Sequence, residues 1–338
     1  MRQITVGIPV YNGMPYLPES VESILRQDYN DFEILIINDG STDDSVDYLH
    51  SLRDPRLRIL HQENRGLTAT LNRMLSEATT PWLARHDADD VACPQRLRRA
   101  GDYIRQHPEA GMFYSFAGYY PAGSVGLFRT TRGTPTEITD LVRSGRLPAI
   151  CHSTVILNVE RAKALSGYRF NLHVEDIDFW WRIALHHDIR LIPEVLTQYR
   201  QNIQSICSTN IEEQTISILY VQYLLISHLE KRKLLSYEEA RIALQQLHDP
   251  RKVIFRNHLR AFNMEMGRGN KTKALYQAVR ACFTSPGSFA RRLRDEYFPG
   301  GSIAMGESPA LFKKYEDLLW PGDKPEQVLR VHGAEAVN

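Results

Sequence analysis

Trp82-Leu83-Ala84-Arg85-His86-Asp87-Ala88-Asp89-Asp90 decides the reading of this chain. Its opening residues read as the end of a strand, and three carboxylates then crowd into four positions. Carboxylates this close repel one another and gain nothing from a core, so a positive partner is expected beside them. A hard divalent cation is the natural candidate, because it takes oxygen ligands and keeps positions open for phosphates. Spacing alone does not decide, since Asp176-Ile177-Asp178 repeats it. Context does: Asp87 follows a strand ending, whereas Asp178 lies inside a helical pattern.

Outward from this stretch, the first hundred residues alternate strand and helix patterns. Ile4 to Val10, Glu33 to Asn38, Leu57 to His61 and Pro81 to Ala84 read as strands, with helical spacing over Tyr16–Gln27 and Leu67–Leu75. Near-continuous apolar strands separated by helices imply a parallel sheet covered on both faces. Ligands of such sheets sit at the carboxyl ends of the strands. Tyr11-Asn12, Asp39 and Asp87–Asp89 all fall at those ends. Beyond Gly111, strands are expected at Met112–Tyr120, Ile150–Leu157, Ile189–Ile192 and Val195–Tyr199, with a helix at Glu175–His187. After Cys207 the pattern turns helical: Ile211–Lys231, Ser236–Leu247, Pro250–Met266 and Lys271–Phe283. The Pro299-Gly300-Gly301 break and the small, polar Val331–Asn338 tail follow.

The chain has 338 residues, enough for a full core and more than one domain, and its net charge of +1 indicates no general attraction to nucleic acid. Cys93, Cys151, Cys207 and Cys282 form no CxxC pair, so neither a zinc site nor a secreted disulfide framework is suggested. The run Ile4–Val10 is too short for a signal peptide, and Ile216–Ile226 is too short to span a membrane. A reducing, cytoplasmic setting is the expectation.

Several groups suit chemistry. A carboxylate at Asp39 can accept from an imide N–H such as that of uracil, with backbone near Pro9–Tyr11 bordering the ring. Arg65, just before a helix, can meet a diphosphate or stand as an ordinary surface arginine. Glu175-Asp176 opens a helix, where acids suit the dipole; the functional alternative is a general base facing a sugar-sized cavity. Trp180 and Trp181 either pack as core or offer a ring face to a sugar. His152 precedes an apolar run, with no second histidine at ligand spacing.

The ordered series Ile8-Pro9-Val10-Tyr11-Asn12, Asn38-Asp39-Gly40-Ser41-Thr42-Asp43, Asn64-Arg65-Gly66 with Asn72, Asp87-Ala88-Asp89-Asp90, His152-Ser153-Thr154-Val155, Gly167-Tyr168 and Glu175–Arg182 resembles a family 2 glycosyltransferase. The resemblance covers about residues 3 to 205. It implies the glycosyltransferase A-type fold: a mostly parallel, Rossmann-like nucleotide-binding sheet flanked by helices, with an all-helical C-terminal extension. The implied division is residues 1–206 as catalytic domain (1–110 for the nucleotide sugar, 111–206 for the acceptor) and 207–338 as helical region. It further implies inverting transfer of a sugar from a nucleoside diphosphate, UDP favoured, to a glycan or lipid-linked hydroxyl in surface-polysaccharide assembly, with Mn²⁺ or Mg²⁺. Pro9, Val10, Tyr11, Asn12, Asp39, Arg65, Asn72, Asp87 and Ala88 would hold the nucleotide sugar, and Asp89 the metal. Asp176 would be the catalytic base, with Glu175, Trp180, Trp181 and His152 toward the acceptor.

Two departures stand out. Relatives often carry Tyr-Arg-x-His where this chain has Tyr199-Arg200-Gln201-Asn202, so Asn202 stands in place of a histidine. The Gln-x-x-Arg-Trp motif and membrane spans of processive synthases are absent, which argues for one sugar per encounter. A nucleotidyltransferase would want a glycine-rich loop after the first strand, and Val10–Pro15 is not one. A non-catalytic sugar-nucleotide scaffold is disfavoured by the presence of both Asp89 and Asp176. The C-terminal helices are expected to pack on the catalytic domain, form a homodimer, or sit on a membrane. Lys271 to Arg294 interleaves Lys and Arg with Leu275, Val279, Phe283, Phe289 and Leu293, which suits anionic lipid headgroups or a solvated face.

Overall fold

The computed structural model describes residues 2–120, 128–169, 172, 174–200, 211–297 and 303–322. Gln201-Asn202, Cys207, the 299–301 break and the 331–338 tail lie outside them. Strands β1 (Ile4–Val10), β2 (Phe32–Asp39), β3 (Leu57–Gln62) and β4 (Trp82–Arg85) pair in parallel. β5 (Val91–Ala92), β6 (Met112–Tyr120), β8 (Ile156–Asn158) and β9 (Ile189–Arg200) extend the sheet; β8 runs antiparallel to β4 and β6, and β5 to β9. The order is β3-β2-β1-β4-β8-β6-β9-β5. The parallel half is as the sequence implies, and short antiparallel insertions make the whole mixed.

Alternation along a strand sends neighbours to opposite faces. In β2, Leu35 and Ile37 enter one core with α3 (Leu67–Glu77), α5 (Pro135–Arg143), α6 (Val159–Ala164) and α7 (Glu175–His186). Ile34 and Ile36 enter the other, with α1 (Leu17–Leu25), α2 (Ser45–Ser51) and α4 (Arg96–Gln106). Helices α4, α5 and α6 have no counterpart in the sequence reading.

Two segments depart from expectation. Ile150–Leu157 is not one strand: His152–Thr154 forms a 3₁₀ turn, and only Ile156–Asn158 is extended. Thr154 closes the turn by donating its backbone N–H (3.0 Å) and hydroxyl (2.7 Å) to the Cys151 carbonyl. Such local side-chain bonds compete with the ladder, and here they win. Conversely, the two strands expected around Pro193 are one. The register jumps from Ser115↔Ile192 to Phe116↔Val195, so a bulge absorbs Pro193, which lacks a ladder donor.

The helical region begins with α8 (Ile211–Leu229), buried on more than one side. Ile218, Val221 and Leu225 join the sheet's core, while Ile216, Leu219 and Tyr223 join a further core with α9 (Tyr237–Leu247) and Trp320. The two regions are also sewn together by backbone. β10 (Ala304–Met305) pairs with β7 (Leu147–Pro148), and Gln222 donates to the Gly145 and Glu307 carbonyls, both at 2.8 Å. α10 (Pro250–Gly267), α11 (Lys271–Thr284) and α12 (Pro286–Tyr297) follow. Among the described residues no helix is long and apolar enough to cross a membrane.

One buried ion cluster fixes the start of α7. Asp178 is fully buried and accepts from Arg169 (2.6 and 3.0 Å) and Arg182 (3.0 Å). Arg182 then reaches back to the carbonyls of Leu165 and Gly167, each at 2.6 Å. The second Asp-x-Asp of the sequence thus supplies a strut. Asp178→Ala strands a buried guanidinium and should cost about 3–5 kcal/mol in urea denaturation; a loss under about 1 kcal/mol would show the strut is dispensable.

Candidate active site

The cleft opens where β1 and β4 part. Their last bond runs from His86 N–H to the Gly7 carbonyl, 3.0 Å. Pro9 shares the parity of Gly7, so its donorless nitrogen faces this gap, where no partner is needed. The following Tyr11–Met14 loop is fastened to the next one. Asn12, at φ 49°, donates its N–H to Ser41 Oγ (2.9 Å) and accepts from Thr42 N–H (2.8 Å). Gly13 and Met14 donate to Ser45 Oγ and Asp43 Oδ2 at 2.9 and 3.0 Å. Pro9 and Ala88 are part-buried, Val10 is core, and Tyr11 is left 54% exposed at the mouth.

Asp39 ends β2, one strand from β1 and roughly 10 Å from β4 by strand spacing. Its buried carboxylate accepts from the Arg65 and Gly66 backbone N–H groups (2.8 and 2.9 Å) and from Gln62 (2.6 Å). Three of about four lone-pair positions are therefore used, and one remains. The Arg65 side chain is exposed. Asn72 has a structural role. Its amide is committed on both sides, donating to the Tyr168 carbonyl (2.8 Å) and accepting from Tyr168 N–H (2.9 Å). Gly167 permits this approach: at φ 57°, a Cβ there would lie 2.4 Å from Asn72 Oδ1. Asn72 thereby braces the turn that carries Gly167 and Tyr168.

The acid loop has anchors that the sequence reading gave no role. Arg85, 2% exposed, donates to Asp87 at 2.6 Å, while its Nε and Nη1 have no hydrogen-bond partner among the described residues. Asp87 N–H donates to Ser153 Oγ (3.1 Å), and its carbonyl accepts from Ser20 Oγ (2.9 Å). Arg200 closes the loop from β9: its N–H donates to Asp90 Oδ1 (2.9 Å) and its Nε to the Asp89 carbonyl (2.7 Å). Its guanidinium lies between the Tyr16 and Tyr120 rings, at 4.6 and 4.4 Å from their centres, and pairs with Glu19. Burial, then repulsion from Asp87, pushes the Asp89 carboxyl up to about 6. The same causes raise Asp90 further, and Asp90 Oδ2 is buried with no partner among the described residues.

Across the cleft lies the start of α7. Glu175 is buried and its carboxyl raised by desolvation; part-buried Asp176 is raised to about 8 by desolvation and then by Glu175. Arg85 acts electrostatically on Asp87, Asp89, Asp90, Glu175 and Asp176, and bonds directly to Asp87. His152 Nε2 meets the Tyr168 hydroxyl at 3.0 Å, its ring 5.5 Å from that of Trp180. Desolvation, then Arg85, pushes its pKa well down, so it stays neutral. Trp180 and Trp181, expected as acceptor-site candidates, are 0% and 3% exposed. Packing claims both indoles; Trp181 also sits 5.4 Å from His228 of α8.

Residues 5–163 match the sequence profile described as glycosyl transferase family 2. This chain carries a family 2 glycosyltransferase domain. The chain is similar to a putative glycosyltransferase, EpsE, of Bacillus subtilis, at 30% identity over 187 residues, 53% of this chain and 66% of EpsE. It is also similar to the amylovoran biosynthesis glycosyltransferase AmsE of Erwinia amylovora, at 28% identity over 189 residues, 54% of this chain and 70% of AmsE. The chain thus spans just under two thirds of EpsE. S. aureus TarS 1–349, solved with UDP-GlcNAc, shares the fold at TM-score 0.56 and 14% identity, covering 90% of this chain and 99% of that one. The glycosyltransferase A-type fold implied by the motif series is therefore the fold observed.

Among the described residues of the family 2 domain, no three His, Cys, Asp or Glu side chains converge as a closed metal cage. An ion that bridges substrate phosphates needs only one or two carboxylates and keeps its waters. Asp89, with an all-oxygen side chain and a neighbour that repels it, fits that chemistry. The raised Asp176 carboxyl has a measurable consequence. The folded state holds its proton from the ordinary 3.8 up to about 8, so stability falls as pH rises through that window. Asp176→Asn should melt higher than wild type at pH 9 by about 3 °C or more, with the gap closing toward pH 4; a pH-independent gap would contradict a buried, proton-holding carboxyl.

Proposed function

We propose that this chain is an inverting, non-processive glycosyltransferase of surface-polysaccharide assembly. It would move a sugar from a nucleoside diphosphate, UDP favoured, to a hydroxyl of a glycan or lipid-linked acceptor. The carrying observation is the pair of acidic groups sharing one cleft: the Asp87–Asp90 loop at the end of β4 and Asp176 at the start of α7, with Arg85 between them. AmsE's amylovoran role and the UDP-GlcNAc bound to TarS support the reaction class and the donor preference.

The residues take distinct roles in this reading. Asp39 offers its remaining lone pair to an imide N–H of the base, and the exposed Tyr11 ring borders it. Asp87 faces the ribose, and exposed Arg65 reaches toward the diphosphate. Asp89 would hold Mn²⁺ or Mg²⁺, which when bound supplies positive charge to the leaving diphosphate. Asp176 takes the proton from the acceptor hydroxyl as its oxygen bonds to the anomeric carbon. The bond from that carbon to the diphosphate breaks on the opposite face, so configuration inverts. A carboxyl raised to about 8 is a stronger base than an ordinary aspartate, which suits removal of a hydroxyl proton. Glu175 sits beside it and maintains that elevation.

A donor screen that reads released diphosphate with Mn²⁺, Mg²⁺ or chelator tests the proposal; no turnover of any nucleotide sugar with a panel of glycan and lipid-linked acceptors would overturn it. Asp176→Asn should keep donor affinity and lose about 100-fold or more in kcat. Because kcat/KM reports free-enzyme groups, the wild-type profile should rise with pH through about 8, and the variant should lack that limb. Transfer by Asp176→Asn at the wild-type rate removes the base assignment. Asp89→Ala should weaken donor binding about tenfold or more with metal present and little with chelator, by calorimetry.

A further inference from the structure

We infer that α11 and α12 form a docking face for an anionic lipid bilayer. From Met266 to Arg294 the chain holds seven basic residues, Arg268, Lys271, Lys273, Arg280, Arg291, Arg292 and Arg294, and no Asp or Glu. The whole chain is only +1, so the remainder is net acidic and the positive charge is concentrated here.

The apolar residues of the segment point outward. In α11, Ala274 and Ala281 are fully buried and fix the inner side of the helix. Leu275, Val279 and Phe283 recur every fourth residue along the outer side and are 65%, 45% and 82% exposed, with Tyr276 beside them at 58%. At 3.6 residues per turn, Lys271 flanks this stripe on one edge and Lys273 and Arg280 on the other. All three are exposed. Past the Ser285-Pro286 break, α12 adds exposed Leu293 and the exposed Arg291 and Arg294.

Four large apolar side chains held in water with cations on both edges match an interfacial helix. Their rings and branched chains enter the headgroup boundary while the ammonium and guanidinium groups meet lipid phosphates. A protein partner of ordinary mixed charge would leave unpaired cations around its rim; a surface of uniform negative charge leaves none. The inference stands apart from the transferase reading, since the face shares no residue with the cleft and its test involves no turnover.

Flotation of the full chain with vesicles tests it. Wild type should float with equal parts phosphatidylcholine and phosphatidylglycerol, float far less with phosphatidylcholine alone, and release at high salt. Leu275→Asp/Phe283→Asp should cut the partition coefficient about tenfold or more, and Lys271→Glu/Lys273→Glu/Arg280→Glu should do so through charge. All altered positions are exposed, so the circular-dichroism melt of each variant should match wild type. Wild type that stays unbound with both compositions overturns the inference, as does undiminished binding of either folded variant. A homodimer that both variants dissolve, from a wild type that never floats, assigns the face instead to a second copy of this chain.

Discussion

A buried guanidinium surrounded by carboxyls is the constraint on which the cleft depends. Two unit charges about 4 Å apart near a protein surface interact by about 4 kcal/mol, so five acids cannot share one pocket as five bare charges. The molecule relieves this in two ways. Arg85 neutralises Asp87 directly through a 2.6 Å hydrogen bond, and burial opposes but does not overcome the charge that the acids hold on it. Elsewhere burial and repulsion between neighbouring acids raise the Asp90 and Asp176 carboxyls, the latter to about 8. The cleft thus holds negative charge that is only partly compensated.

The surrounding polar struts hold that arrangement still. Asp178, Arg169 and Arg182 tie the start of α7 to the turn that carries Gly167 and Tyr168. Asn72 grips the same turn from α3, and Tyr168 passes the restraint to His152. On the far side, Ser153 and Arg200 hold the acid loop from the 3₁₀ turn and from β9. The bonds of Asn72 to Tyr168, Asp87 to Ser153 and Arg200 to Asp89 join segments distant in sequence, so these loops are held by tertiary bonds in addition to their own turn chemistry.

This explains what the sequence could and could not reveal. Strands buried on both faces, such as Ile34–Ile37, announce themselves as apolar runs, and their polar ends mark the rim. Met112–Tyr120 is read to the residue for the same reason. Helix α4 buries only Leu97, Ala100, Gly101 and Ile104 beside Arg96, a stripe with few large apolar side chains, and so it escapes. The 3₁₀ turn escapes because its apolar flanks mimic a strand. Arg85 could have been noticed as a charge inside an apolar strand, but Glu175 and Asp176, on which it also acts, lie on another element. Asn72 stands among the nucleotide-site candidates of the motif series, whereas Asp178 is set aside there for its place inside a helical pattern. Only the coordinates show their hydrogen-bonding capacity turned inward.

The helix Ile211–Leu229 belongs to two cores at once, and the stretch from Ile303 to Glu307 returns to bond with Thr131, Leu147–Pro148 and Gln222. A fragment ended where the family signature fades, near residue 163, would lose α7 and the wall that α8 lays against the sheet. The packed unit is therefore larger than its recognisable signature, and a replacement of the helical half would have to carry a matching seam.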